Sequence, residues 1–401
     1  MTNPWPTTKL GDVIDLFDSQ RIPLNSRQRQ ERQGKFPYYG AQGIIDYIDD
    51  YIFDGRYILV AEDGENLNSK KLPLALFATG KFWVNNHAHI LRGKANIADD
   101  TYLLACLNNA DIKPFVTGAA QPKLSQGNLR LIEIPLPPLP IQQRIAGILS
   151  AYDELIENSQ RRIKLLEAMA RALYREWFVH FRFPGHENHP RVPSPLGEIP
   201  QGWEVKAVAE AFTISGGGTP SRKESAYWEG GTIQWYSPSD LTGAGTMFMD
   251  DSSDHITERG LEQSSARMFP PRSVMLTSRA TIGAIAINTH PACTNQGFIT
   301  CLPNKHVPLY FLFYWLTENV PTFQLMASGA TFKEISRGVF KTIDFLQPPI
   351  ELVEQFEAHA TPLAEQILSL QRQVNNLRRT RDLLLPRLLS GQIDVKTIPY
   401  A

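Results

Sequence analysis

The residues of this chain that could do chemistry are spaced for recognition rather than for catalysis. Its nine histidines are scattered. His87 and His89 stand two apart on one apolar run, which puts both on one face of a strand. A structural role is the ordinary outcome there, and a metal pair the exceptional one. His186 and His189 fall in a Pro- and Gly-rich stretch and read as solvated. Cys106, Cys293 and Cys301 make no CxxC spacing and no disulfide framework, so they read as small buried hydrophobes in a reducing compartment. No GxxxxGK[ST] loop occurs, which removes the case for ATP hydrolysis. SGGGTPS at 215–221 lacks a strand-loop-helix fingerprint around it and reads as a turn. There is no Gly-x-Ser-x-Gly elbow. LPPL at 136–139 and QPPI at 347–350 lack the acid or amide and the ring of an amino-methyltransferase tetrad. The expectation is no catalytic residue, no metal site and no cofactor in this chain.

Donor-rich turns remain. One group is Gln121, Lys123, Ser125 and Gln126; another is Thr331, Lys333, Ser336 and Arg337. Ser221, Arg222, Lys223, Ser278 and Arg279 lie on further turns, as do Arg56, Lys70 and Lys71. Tyr38, Tyr39, Tyr227, Trp228, Trp235 and Tyr236 are close by in sequence. Lys and Arg suit phosphates, while Gln, Asn and Arg can pair with base edges in a major groove. The candidate DNA-binding set is Arg56, Lys70, Lys71, Gln121, Lys123, Ser221, Arg222, Lys223, Ser278, Arg279, Thr331, Lys333 and Arg337. The net charge of −1 over 401 residues gives no global basic signature, so any grip on nucleic acid must be local or shared.

The elements that must position these turns occur twice. Gly118 to Phe178 carries a Gly-bounded polar turn, a short apolar run, a Pro-Pro stop and about forty residues of helix pattern. It returns at a constant offset of 211 from Gly329 to Leu389. Gly118 meets Gly329, Ser125 meets Ser336, Ile132 meets Ile343, Pro137 and Pro138 meet Pro348 and Pro349, and Ile145 meets Phe356. A repeated unit of this kind fixes the architecture before any local reading. Upstream, Trp5, Leu10 and Ile14 match Trp203, Val208 and Phe212, and Asn86 and Ile90 match Asn295 and Ile299.

Short apolar runs at 37–40, 43–48, 56–64, 72–80 and 87–93 predict strands, as do 129–137, 233–236, 273–287 and 293–302. Trp5 to Phe17, 101–110 and 309–319 have helix spacing. The fold class is α+β: two mixed, strand-rich units and two long helices related by a pseudo-twofold repeat and packed as an antiparallel coiled coil. The boundaries are 1–139 for the first unit, 140–182 for the first helix, 183–202 for a linker, 203–349 for the second unit, and 350–401 for the second helix and tail. The first helix should span roughly 55–60 Å. Its apolar stripe, Ile145, Ile148, Tyr152, Leu155, Leu166, Leu173 and Trp177, needs a partner helix. Leu363, Ile367, Leu370, Val374 and Leu377 alternate gaps of four and three, a coiled-coil seam. These twelve are the candidate spacer and partner-docking residues. The first residues lack a secretory pattern and no stretch is apolar enough to span a membrane, so a cytoplasmic location is expected.

These motifs together resemble the specificity subunit of type I restriction-modification enzymes. The resemblance rests on Trp5 and Trp203, GGTPS with YWEGGTIQWYSPSDL, SRATIG at 278–283, TNQGFI at 294–299, IPLPPLPIQQRIAGIL at 134–149, LYREWFVHFRFPG at 173–185 and LLLPRLLSGQI at 383–393. It implies two target-recognition domains reading a split site in double-stranded DNA, with the helices setting the gap. It also implies two methyltransferase and two motor-nuclease subunits as partners, which would carry S-adenosylmethionine, ATP and Mg. The first unit has DSQRIPLNSRQ at 18–28 in place of the GGTPS turn, so the two half-sites should differ. The competing reading is a two-headed coiled-coil adaptor that binds proteins and reads no DNA.

Overall fold

The computed structural model describes residues 5–118, 120–329 and 333–395. The chain forms two compact units, Met1–Glu157 with Asn375–Ala401, and Asn158–Val374. Both unit boundaries fall inside the long helices, Leu139–Tyr174 and Ile350–Leu389, so each helix contributes one half to each unit.

In the first unit, strands β1 (Thr7–Lys9), β2 (Ile14–Leu16), β3 (Gln33–Gly40), β4 (Gly43–Ile48), β5 (Phe53–Ala61), β6 (Ala75–Val84), β7 (Ala88–Gly93) and β8 (Glu133–Pro135) form two sheets. The larger has the order β2-β7-β5-β6-β3-β4. β5 is buried on both faces, which is why Ile58-Leu59-Val60-Ala61 is continuously apolar. Ile58 and Val60 join a core built with Tyr102, Leu103, Ile145, Leu149 and Leu388. Leu59 joins Phe53, Phe82, Val84 and Ile90 on the other face, where Phe53 and Phe82 stack at 5.5 Å.

The second unit holds β9 (Arg191–Ser194), β10 (Gly197–Pro200), β11 (Glu204–Ala207), β12 (Thr213–Gly216), β13 (Ile233–Tyr236), β14 (Phe248–Met249), β15 (Asp254–Ile256), β16 (Val274–Thr277), β17 (Ile285–Asn288), β18 (Ala292–Thr294), β19 (Phe298–Leu302) and β20 (Asp344–Gln347). Its main sheet runs β12-β19-β16-β17-β14, with a second sheet β15-β13-β18. Helix Leu309–Glu318 is apolar on all sides and buried from Tyr310 to Leu316.

The repeat is visible in hydrogen bonds. Leu10 N donates to Ile132 O at 2.8 Å, and Val208 N to Ile343 O at 2.9 Å. β1 pairs with β8 as β11 pairs with β20. Within each unit the two helix halves run antiparallel. In the first, Asp153 meets Arg381 at 2.6 Å and Ile145 and Leu149 share a core with Leu388. In the second, Tyr174 packs against Phe356, and Ile367, Leu370 and Val374 of the expected seam are buried.

Several local expectations change. Trp5 to Phe17 is not one helix: Leu10–Val13 makes a single turn between β1 and β2. Both strands find ladder partners, in β8 and β7, and pairing outweighs the helical spacing. Within 129–137 only β8 is strand, because Ser125 caps a helix over Gln126–Leu131. The expected linker, 183–202, contains the β9–β10 hairpin, and Phe183 and Ile199 are buried in the second core. Leu155 is half exposed and Ile156 takes its place in the stripe. Among the described residues no helix is long and apolar enough to cross a membrane.

Candidate nucleic-acid interface

Four separate stretches of the second unit meet at one end of its main sheet. β19 has β12 and β16 as neighbours, so the turn leaving β12, the loop leaving β16 and the loop entering β19 must converge. Gly218 N donates to Thr294 O at 2.9 Å and Ser278 N to Gly297 O at 2.8 Å. The Thr219 hydroxyl donates to Gln296 Oε1 at 2.6 Å. The chain then returns as the fourth stretch. Ala280 N donates to Lys333 O and Ile335 N to Ser278 O, both at 3.0 Å, and Ser328 and Glu334 exchange two bonds. Ser336 caps the helix Arg337–Lys341.

The result is a concavity of about 390 Å³ lined by Ser278, Gln296, Phe298, Glu334, Ile335, Ser336, Arg337 and Gly338. Arg279 Nε lies 3.9 Å from Glu334, with both side chains half exposed. The Arg337 guanidinium lies against Gly216, in the space a Cβ there would take. Arg279, Lys333 and Arg337 against Glu334 leave the corner cationic, the sign a phosphate backbone requires.

Arg222 has a different task. Its guanidinium stacks 3.6 Å from the Trp228 ring centroid and 5.1 Å from that of Trp235, and pairs with Asp254. The two indoles donate to Ser221 O at 3.0 Å and Gly218 O at 2.9 Å. This cluster holds the GGGTPS turn in shape, while Ser221 and Lys223 stay exposed beside it.

The first unit repeats the scaffold with other side chains. Glu62 N donates to His87 O, Leu124 N to Glu62 O and Gly64 N to Pro122 O, at 2.9, 2.8 and 3.1 Å, and Thr117 and Lys123 exchange two bonds. Asn85 and Asn295 are equivalent. Each amide donates to a tyrosine carbonyl, Tyr39 or Tyr236, at 3.0 Å. Each side chain accepts from the amide two residues on, His87 or Gly297, at 2.8 Å. The structural match is therefore Asn85 with Asn295, one residue from the expected Asn86.

Beneath this loop sits an ion network. His89 is buried, with Nδ1 2.6 Å from Asp18 Oδ2 and Nε2 2.8 Å from Leu124 O. Arg21 reaches Glu62 at 2.7 Å and Lys123 reaches it at 3.2 Å. Burial alone would raise the Asp18 carboxyl, but the bond and charge of His89 and the Ile90 amide hold it below the usual range. Glu62 is likewise held down against its burial, chiefly by Arg21 and His89. Asp18, Glu62 and His89 place donor atoms within 4.8 Å of one another, the described grouping able to share an ion. Arg21 and Lys123 already neutralise it.

Of the other nominated residues, Gln121 is exposed on the returning chain and Thr331 lies outside the described residues. Arg56, Lys70 and Lys71 belong to a different feature. Arg56 lies over Phe77 at 3.7 Å and donates to Thr101 Oγ1 at 3.0 Å. Lys70 Nζ donates to Ala110 O at 3.0 Å. Lys70 and Lys71 edge a groove of about 590 Å³ that also reaches Asp153 and Arg381. Gln296, Thr219, Arg21 and Glu62 were missed by sequence reasoning. Gln296 lay inside TNQG, and its neighbour's repetition at Asn85 was the available signal. Burial pushes the Cys106 and Cys293 thiols up to about 12 and Cys301 higher still, which suits inert core residues.

Comparison with known proteins agrees with this duplicated architecture. The type I restriction modification DNA specificity domain matches residues 2–168 and again 200–359. The chain belongs to this family of type I specificity subunits. The HindI specificity subunit of Haemophilus influenzae is 22% identical over 455 residues, covering 98% of this chain and 95% of that one. The MjaIX specificity subunit of Methanocaldococcus jannaschii is 28% identical over 294 residues, covering 72% of this chain and 66% of that one. A putative specificity subunit of H. influenzae, S.HindORF215P, is 37% identical over 147 residues, covering 36% and 37%. The chain thus spans about two thirds of the MjaIX subunit and just over a third of S.HindORF215P. The solved S subunit of a type I restriction-modification system from M. genitalium shares the fold. Its TM-score is 0.66 at 16% identity, over 97% of this chain and 99% of that one.

Proposed function

We propose that this chain reads an asymmetric bipartite sequence in double-stranded DNA for a type I restriction-modification system, one half-site per unit. The observation that carries this is the four-loop corner built twice on one backbone scaffold but with different side chains. A scaffold repeated with changed side chains is what two readers of different half-sites need. The chain acts without chemistry of its own: its thiols are buried, and His89 is engaged on both ring nitrogens. Two methyltransferase subunits, using S-adenosylmethionine, and two motor-nuclease subunits, using ATP and Mg, supply the reactions and bind along the helix pair. The half-exposed Leu155, Leu165 and Met169 of the first helix supply apolar area for such docking. A cytoplasmic location goes with this reading. The test is selection from a random-duplex pool by the chain reconstituted with its methyltransferase subunit. The expected result is a two-part motif with an unread gap. No sequence preference would favour the protein-binding adaptor instead.

The helix pair is also the ruler between half-sites. Four extra residues in both helices, inserted after Glu157 and after Val374, make just over one turn and add about 6 Å. The unread gap is expected to lengthen by about one to two base pairs at ~3.4 Å each, with both half-sites unchanged. Methylome sequencing reads this directly, and an unchanged gap removes the ruler role.

A further inference from the structure

The loops Glu62–Gly64 and Ser278–Ala280 are tied to their neighbours by equivalent backbone bonds. Differences in side chain at these positions are therefore differences in what one rigid scaffold presents. In the first unit His87 stands where the second has Gly297. Its ring is half exposed, and Nδ1 lies 2.6 Å from Asp63 Oδ2. In the neutral ring the Asp63 carboxylate, which can only accept, favours the tautomer with the proton on Nδ1, and Nε2 makes no hydrogen bond among the described residues. In the second unit no ring stands at 297. The residue equivalent to Asp63 is Arg279, half exposed, with Glu334 beside it at 3.9 Å. The backbone bridge beneath is common to both: Asp63 with Lys123, and Arg279 with Glu334. The charges on the two sides of that bridge are inverted between the units.

We propose that these groups set the base preference at one position of each half-site: His87, oriented by Asp63, in the first unit, and Arg279, steadied by Glu334, in the second. The proposal rests on the DNA-reading function above. The chemistry differs between the two. Arg279 offers a fork of donors that matches guanine O6 and N7. In the neutral tautomer with Nδ1–H turned to Asp63, His87 offers the Nε2 lone pair, which accepts from the exocyclic amino group of adenine or cytosine. Asp63 beside His87 also disfavours a phosphate at that point, which assigns His87 to bases rather than to the backbone.

The test is enrichment from a random-duplex pool by the full-length chain with its methyltransferase subunit, comparing wild type with His87→Ala and Arg279→Ala. Arg279→Ala is expected to relax one position of one half-site by about fivefold to a hundredfold. His87→Ala should relax one position of the other half-site severalfold. In each case the remaining positions keep their preference. Should an alanine variant fail to fold, His87→Asn and Arg279→Lys replace it, with a changed base at the same single position as the expected result. An unchanged motif overturns the proposal. So does uniform weakening of every position with a shallower salt dependence, the mark of a phosphate contact. Either outcome leaves the reading function standing. A wild-type pool without any motif instead sinks that function.

Discussion

Replacing Phe356 with alanine is expected to destabilise the second unit by about 3–5 kcal/mol. Phe356 is fully buried. Its ring meets Phe178 at 5.3 Å, Tyr174 at 5.7 Å, and Trp177 and Tyr314 at 6.3 Å each. Those partners come from three elements: the end of the first long helix, the π-turn Arg175–Val179 that follows it, and helix Leu309–Glu318. Removing the ring leaves a void that fused side chains of this size cannot close, so a cavity cost adds to the lost transfer energy. Against a typical domain stability of about 5–15 kcal/mol this is a large fraction. Phe356→Leu keeps most of the volume and should cost no more than about 1.5 kcal/mol. Urea melts followed by fluorescence of the buried Trp177, Trp203 and Trp315 read the second unit. A cost below about 1 kcal/mol for the alanine variant would mean that the cluster is loosely packed.

The importance of position 356 was already visible in the repeat, which aligned it with Ile145. Both are fully buried, each in its own unit. What the repeat could carry was anything set by an ungapped match: the Pro-Pro stops, the start of each long helix, and the S-x-G turns that cap a short helix in both copies. Sheet order was not legible, because hydrogen-bonded neighbours such as β12 and β19 are far apart in sequence. The convergence of GGGTPS, SRATIG and TNQG followed from that order alone. The Asn86 match failed for a related reason: local similarity slid by one residue, and only the tyrosine carbonyl that each asparagine meets fixes the register. Leu155 keeps a gap of three from Tyr152 and so fits the stripe by spacing, but Ile156 is the residue that is buried. Ser159 is buried on the same face, and Tyr152, Ile156, Ser159 and Ile163 keep the helical spacing. Arg222 was legible as a turn cation but not as a stacked one, since Trp235 and Asp254 reach it only through the fold.

Glu357, next to Phe356, is expected to make the second unit less stable at pH 8 than at pH 5. Helix Leu309–Glu318 has Pro308 before it, with no side-chain cap. Glu357 supplies the missing acceptor from the other helix, taking the Phe311 amide at 2.7 Å. Burial pushes its carboxyl up to about 7, and the Phe311 and Tyr310 amides pull it only partly back. The folded state thus favours the protonated group more than the unfolded chain does. Its stabilising contribution is complete below about pH 4.5 and is lost as pH rises through about 7. A shift of this size is worth at most about 3 kcal/mol. Glu357→Gln keeps an oxygen for the amide and cannot ionise. The variant should therefore gain on wild type by a few kcal/mol between pH 5 and pH 8, because only wild type must bury a charge at the higher pH. Paired urea melts at the two pH values isolate this group, since other titrations are common to both proteins. A wild-type-to-variant difference that stays constant across the range would show that the helix amides, rather than burial, govern this carboxyl.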